Sequence, residues 1–280
     1  MSPAANGSNG SNGHGVAVPT PKPLDLVGKT AIVTGSARGI GAACALELGQ
    51  RGANVVVNYT SAKSKGPADK IASQITSNGT GAKAITVQAD VVANEGQQAL
   101  VDAALSLSSS KSINILVHNA GHGDDCYLTD VTEDFYRIQT DINMKAPIFL
   151  TQKALPHMPR SSRIVLISSC SARMGVPQQT VYAASKAATE AFARVWATEL
   201  GQSRGITVNC VNPGPVATDM YYASSQEFLD ELKPLVDSTP AEGRVGEVGD
   251  VAPIVGFLCS EESRWVTGST VSANGGLLFH

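Results

Sequence analysis

The feature that most constrains this chain is an apolar run, Thr30 to Thr34 (TAIVT), that passes straight into Gly35, Ser36, Ala37, Arg38, Gly39, Ile40 and Gly41. An Ala-rich stretch with helical spacing follows, near residues 40 to 51. Glycines at a strand-to-helix turn allow a tight reversal, bring a pyrophosphate against backbone N–H groups at the positive end of the helix, and let helix pack closely on strand. The spacing G-x-x-x-G-x-G is a variant of the dinucleotide-binding fingerprint, and it gains weight from lying between a first strand and a first helix.

Beyond the turn, short β-branched runs alternate with longer amphipathic stretches at the spacing of repeated βα units. Further strands are expected at Ala53 to Asn58, Lys83 to Gln88, Ile113 to Val117, Arg163 to Ser168, Ile206 to Val211 and Ser269 to Ser272. Most are continuous apolar runs, the pattern of strands covered by helices on both faces. Helices are expected near 40 to 51, 66 to 78, 94 to 108, 132 to 157, 180 to 202 and 247 to 260, with Asn94 and Thr132 as capping residues. The implied fold is α/β: residues 24–280 form a single Rossmann-type, doubly wound parallel sheet of about seven strands with helices on both faces.

Residues 1–23 are rich in Gly, Asn, Ser and Pro and nearly free of large apolar side chains. Burial cannot offset their ordering entropy, so a disordered tail is expected. The longest and least regular connection, Val211 to Asp250, carries Tyr221, Tyr222 and Phe228, and a lid insertion is expected near 215–245.

Composition excludes more than it selects. With 42% hydrophobic and 16% charged residues and a net charge of -3, the chain reads as an ordinary globular protein with a sizeable core. No basic cluster interleaved with aromatics suggests a nucleic-acid partner. Apolar residues nowhere run long enough to cross a bilayer and no leader pattern opens the chain, so no membrane partner and a cytoplasmic location are expected. Cys44, Cys126, Cys170, Cys210 and Cys259 lie far apart without a C-x-x-C pair, so reduced thiols are expected. His118 and His122 flank a turn with no third ligand evident, so no metal is expected.

The end of the second strand bears on the cofactor. An NAD enzyme usually places a carboxylate there for the ribose hydroxyl. Here no carboxylate lies between Glu47 and Asp69; the strand runs out through Asn58, Tyr59, Thr60 and Ser61, with Lys63 and Lys65 beyond and Arg38 back in the turn. A 2′-phosphate needs cations and hydroxyl donors and is repelled by a carboxylate, so NADP(H) is expected, with Arg38 and Ser61 as its first partners. Lys63 and Lys65 also fit a solvated surface loop.

Tyr182 and Lys186 in VYAASK lie one helical turn apart on the same face. A phenol alone is a poor acid-base group at neutral pH, and an ammonium about 4 Å away could favour the phenolate by up to about 4 kcal/mol at an effective dielectric near 20. Ser169 follows the fifth strand, at the carboxyl edge where open parallel sheets bind ligands, and its hydroxyl could hold a substrate carbonyl.

With these residues in place the chain resembles the short-chain dehydrogenases/reductases of the one-domain branch, from about Leu26 to Gly276. TGSARGIG is similar to that family's cofactor turn, and HNAG at 118–121, with Asn119, Ala120 and Gly121, to its N-N-A-G element. Asn143 matches the Asn of its catalytic tetrad, YAASK its Tyr-Lys motif, and NPGPVATDM, with Pro213, Gly214, Val216 and Thr218, its nicotinamide loop. Asp90 resembles the residue facing the adenine. The resemblance implies Tyr182 as proton donor, Lys186 on the nicotinamide ribose and depressing the tyrosine pKa, Ser169 orienting the carbonyl, and Asn143 holding a relay water. His118 departs from the family's first Asn.

Among relatives, the basic turn, the NYTS strand end, TDMYYA and WVTG are most similar to fungal hydroxynaphthalene reductases and related polyketide ketoreductases. That implies an aromatic or polycyclic ketone as small-molecule substrate, with His122, Tyr127, Met174, Tyr221 and Tyr222 as pocket residues. The alternative is an NADP(H)-binding scaffold acting as a non-redox isomerase, cyclase or sensor. Ala183, Ala184, Ala187, Ala188, Ala191 and Ala193 let another helix approach the Tyr182 helix; the family implies a homo-oligomer, tetramer or dimer.

Overall fold

A computed structural model describes residues 22–279. In chain order it contains β1 (Thr30–Val33), α1 (Gly39–Gln50), β2 (Asn54–Tyr59), α2 (Lys65–Ser77), β3 (Ala84–Gln88), α3 (Asn94–Leu107), β4 (Ile115–His118), α4 (Glu133–Thr140) and α5 (Ala146–Ala154). It continues through β5 (Arg163–Ile167), α6 (Thr180–Arg204), β6 (Thr207–Pro213), α7 (Asp219–Tyr222), α8 (Gln226–Asp237), α9 (Val248–Cys259) and β7 (Thr270–Ala273). The strands form one parallel sheet in the order β3-β2-β1-β4-β5-β6-β7. The order reverses between β1 and β4, which opens a crevice at their carboxyl ends.

The continuous apolar strands do what their composition predicts. Alternate residues of one strand feed opposite cores: Ala31 and Val33 pack under α1, α2 and α9 with Leu48, Ile75 and Val255, whereas Ile32 packs under α3, α5 and α6 with Leu100, Leu150 and Leu200. The sheet is thereby buried on both faces.

Three expectations need correction. Asn94 is the first residue of α3, and the capping position is Ala93, which has no side chain to cap with; Thr132 does cap α4, accepting from the Phe135 N–H. The stretch 132 to 157 is not one helix, because Pro147 has no N–H to give the carbonyl of Asn143 four residues earlier. The ladder widens instead into a π-turn over Asp141–Lys145, closed by Ala146 N–H to the Asp141 carbonyl. Most of the expected tail lies outside the described residues, but Lys22 is anchored: its ammonium is 3.0 Å from Glu47, which also holds Arg51 at 2.8 Å.

The glycine turn is built from behind. Asn58 accepts from the Gly35 N–H through its side chain (2.9 Å), and the Ser36 hydroxyl donates to the Val33 carbonyl (2.7 Å) while accepting from the Asn58 N–H (2.9 Å). From β4, the Asn119 amide donates to the carbonyls of Thr34 and Gly35 (2.9 and 3.1 Å), and the Thr34 hydroxyl accepts both the Asn119 and Ala120 N–H groups at 3.0 Å. Gly35 and Gly39 have positive φ (62° and 56°). A Cβ on Gly41 would overlap the Asn119 amide and the Gly35 carbonyl oxygen. Gly41→Ala is therefore expected to cost about 1–3 kcal/mol in thermal stability and to weaken dinucleotide binding severalfold, as overpacking of a close contact does. Unchanged melting and cofactor titration would show that the turn has slack.

Candidate active site

One cleft of about 710 Å³ runs along the carboxyl edge of the sheet. At its floor lie Gly35, Arg38, Gly39 and Ile40 of the turn, with Asn58, Tyr59 and Ser61 where β2 ends. Asp90 and the backbone-rich Asn119-Ala120-Gly121 corner flank them, and Pro213, Gly214, Val216 and Thr218 close the far side. Ser36 and Gly41 stand behind this surface, holding the turn. The shape suits a dinucleotide: the first turn of α1 faces the cleft, and the positions where backbone must be approached carry no Cβ.

No carboxylate stands at the end of β2. Lys65 is tied to Asp69 at 2.6 Å and, like Lys63, lies outside the cleft lining, which is the solvated-loop reading of that pair. Arg38 lies 3.4 Å from Asp219, with both side chains more than two-thirds exposed (71% and 72%). An exposed pair of that length is worth little, so the guanidinium is available to a competing phosphate.

The reacting corner is set by β5 and α6. Ser169 lies just past β5 and caps the short turn Cys170–Ala172, accepting from the Ser171 N–H at 3.2 Å. Lys186, on the second turn of α6, is buried and donates to the carbonyl of Ile167, the last residue of β5, at 2.8 Å. Its nitrogen stands 5.6 Å from the centre of the Tyr182 ring. Burial pulls the Lys186 ammonium down to about 8.

Tyr182 departs from expectation. A lowered phenol was anticipated from its lysine neighbour, but the protein packed around the ring pushes it up to about 12, opposed by a hydrogen bond from Ser169. Part of the ring still faces the cleft, and Gly123 lies so close beneath it that a Cβ there would sit 2.9 Å from the ring edge. Desolvation outweighs the ammonium at this separation, so the phenol rests as an acid.

Asn143 sits in the π-turn, buried and outside the cleft lining. Its Oδ1 accepts from the His122 N–H (2.9 Å), and its Nδ2 donates to the His122 carbonyl (2.8 Å) and the Ser185 hydroxyl (2.9 Å). Both amide hydrogens are thus spent tying the π-turn to α6 and to the corner after β4. His118, standing where the family has Asn, is bonded to Thr151 at 2.8 Å, and burial drives its imidazole down to about 3, so it is neutral.

Of the five aromatic, histidine and methionine residues expected in the substrate pocket, only Tyr221 lines the cleft. His122 pairs with Asp124 at 2.9 Å, Tyr127 and Tyr222 are exposed, and Met174 is outside the lining. Sequence reasoning missed Glu190, buried one turn beyond Lys186. Its carboxylate accepts from Ser168 (3.2 Å), Asn212 (3.0 Å) and Arg173 (2.7 Å), and Asn212 also holds the Ser169 carbonyl at 2.9 Å. The spacing 182, 186, 190 was the available signal, since it puts a carboxylate on the same buried stripe. Among the described residues no cluster of three or more metal-ligating side chains occurs, and no helix is long and apolar enough to cross a membrane.

Known proteins share this arrangement. A family model described as enoyl-(acyl carrier protein) reductase matches residues 35–278. A short-chain dehydrogenase/reductase of Cladobotryum is 49% identical over 91% of this chain and 98% of its own. Versicolorin reductase 1 of Aspergillus parasiticus is 41% identical over 90% of this chain and 97% of its own. Among solved structures, landomycin C-6 ketoreductase with bound NADP and rabelomycin superposes with a TM-score of 0.78 at 35% identity, covering 91% of this chain and 98% of that one. From the glycine turn to the last strand, with Ser169, Tyr182 and Lys186 gathered at one sheet edge, the chain belongs to the short-chain dehydrogenase/reductase family.

Proposed function

We propose that the protein reduces a ring ketone of aromatic or polyketide origin to a secondary alcohol at the expense of NADPH. The observation that carries this reading is the meeting of Ser169, Tyr182 and Lys186 in the cleft that also holds the glycine turn. The likeness to versicolorin reductase and to the landomycin ketoreductase supports the substrate class, and the NADP bound in the latter supports the cofactor.

When bound, NADPH supplies the hydride to the carbonyl carbon. Gly35, Gly39 and the first N–H groups of α1 would take its pyrophosphate, Arg38 and Ser61 its 2′-phosphate, Asp90 its adenine side, and Thr218 with the Pro213-Gly214 backbone its nicotinamide end. Ser169 would hold the ketone oxygen by a hydrogen bond, and Tyr182, resting with its proton, would deliver that proton to the same oxygen. The Lys186 ammonium then faces the phenolate that is left, where a fixed positive charge in a partly dry corner stabilises developing anion. Asn143 would serve the relay by fixing the π-turn; its Oδ1 keeps one free lone pair for a water.

The segment 215–245 is proposed as the lid over the substrate end. From Met220 onward it contributes Met220, Tyr221, Ser224, Phe228, Leu232 and Leu235 to the wall, a largely apolar surface suited to a flat ring. A homo-oligomer completes the reading: exposed Tyr136, Phe149 and Val195 on α4, α5 and α6 accompany exposed Ala184 and Ala187, which leave room for a second helix. Light scattering is expected to give a dimer or tetramer, and a monomer at micromolar concentration would remove that part of the reading.

Tyr182→Phe keeps the ring and removes the proton. Ketone reduction, followed by loss of NADPH absorbance, is expected to fall by about 10³-fold or more, with NADPH affinity held within about threefold. Turnover at the parental rate would remove the mechanism.

A further inference from the structure

One buried titratable side chain has no part in the proton transfer. Glu190 is 4% exposed and stands outside the cleft wall, so it reaches neither the carbonyl nor the dinucleotide. A carboxylate taken out of water is costly unless donors replace its hydration. Three donors do so here: the Ser168 hydroxyl at 3.2 Å, the Asn212 amide at 3.0 Å and the Arg173 Nε–H at 2.7 Å. An acceptor-only carboxylate takes all three, whereas an amide of the same shape would turn its NH₂ toward at least one of them.

Each donor leads to Ser169. Ser168 precedes it in the chain. Asn212, near the end of β6, gives its other amide hydrogen to the Ser169 carbonyl at 2.9 Å. Its orientation follows from the carboxylate: both hydrogens meet acceptors and Oδ1 is left buried without a partner, because the reversed amide would set that oxygen against Glu190 and the Ser169 carbonyl. Arg173 ends the short turn Cys170–Ala172 that Ser169 begins. Inside the turn the Ser171 N–H donates to the Ser169 hydroxyl at 3.2 Å, the Ala172 N–H to the Ser169 carbonyl at 3.0 Å, and the Arg173 N–H to the Cys170 carbonyl at 3.0 Å. Both ends of the turn are therefore tethered to one carboxylate. Arg173 supplies the charge that a buried carboxylate needs, from a side chain that is itself one-third exposed (32%).

We propose that Glu190 is the positioning residue for Ser169: through Arg173 at one end and Asn212 at the other, it fixes the turn that aims the Ser169 hydroxyl at the substrate carbonyl. The inference rests on the ketone-reductase reading for what Ser169 holds, and the tether itself rests on the hydrogen bonds. Cutting the tether frees the turn and leaves the dinucleotide surface in place, so the loss falls on kcat and spares NADPH binding.

The test compares the full-length protein with Glu190→Gln, Arg173→Met and the double variant. Hydrogen exchange is followed at the Ser171 and Ala172 amides, NADPH affinity by fluorescence titration, and kcat with 1-tetralone and acenaphthenequinone. Each single variant is expected to speed exchange of both amides by at least about tenfold while the β5 amides stay unchanged. It is also expected to lower kcat by at least about tenfold and to keep the NADPH Kd within about twofold. The double variant is expected to lie no more than about twofold below the lower single one, because both substitutions cut the same tie. Arg173→Met alters only a partly exposed side chain, so it decides the matter if Glu190→Gln does not fold. Unchanged exchange, full additivity in the double variant, or faster exchange with kcat at the parental value overturns the positioning role alone. If the parent reduces neither ketone, the ketone reading falls and the exchange measurement by itself decides the tether.

Discussion

The interaction on which the site depends is the hydrogen bond from Lys186 to the Ile167 carbonyl, 2.8 Å long and buried. It takes an ammonium out of water, a costly act that a single carbonyl only partly offsets. What it secures is geometry. The bond pins the start of α6 to the end of β5, and the same helix face then brings Tyr182 beside Ser169. One turn further along, Glu190 repeats the device with a carboxylate, gripping Ser168, Asn212 and Arg173, so the ends of β5 and β6 cannot drift from the helix that carries the acid.

The same corner explains why two ionisable groups with similar ordinary values are driven apart. Desolvation penalises charge on both, lowering Lys186 to about 8 and raising Tyr182 to about 12. The resting state is an ammonium next to a neutral phenol, which is the arrangement a reduction needs before proton transfer. The anticipated depression of the phenol is a property of the charged pair alone; it took no account of how much protein the fold packs around the ring. After the proton leaves, the ammonium regains the influence that desolvation had masked.

How much of this could be read in the sequence follows from where each signal lives. The strands, the glycine turn and the Tyr182–Lys186 spacing are local patterns, and local patterns survive folding; the sheet order and the place of Ser169 then follow from topology. Asn143 was found by resemblance, and its π-turn could have been anticipated from Pro147 four residues on, which forbids the regular ladder. Pocket residues fared worse. Met174, Tyr127 and Tyr222 are large and lie near the right motifs, but which way such a side chain turns is decided by contacts that no periodicity encodes. The hydrogen bond from Gln179 to Asp125 joins two loops 54 residues apart, a contact that no local pattern encodes.

The most direct test of the resting acid is a pH titration of the protein labelled with tyrosine carrying carbon-13 at the ζ position, with Tyr182→Phe used to assign the resonance. A phenol held up by burial is expected to keep its proton through pH 10 and to titrate at about 12. A Tyr182 signal already in the phenolate position at pH 8 would contradict it, and would mean that the ammonium of Lys186, not burial, sets the proton on which the reaction turns.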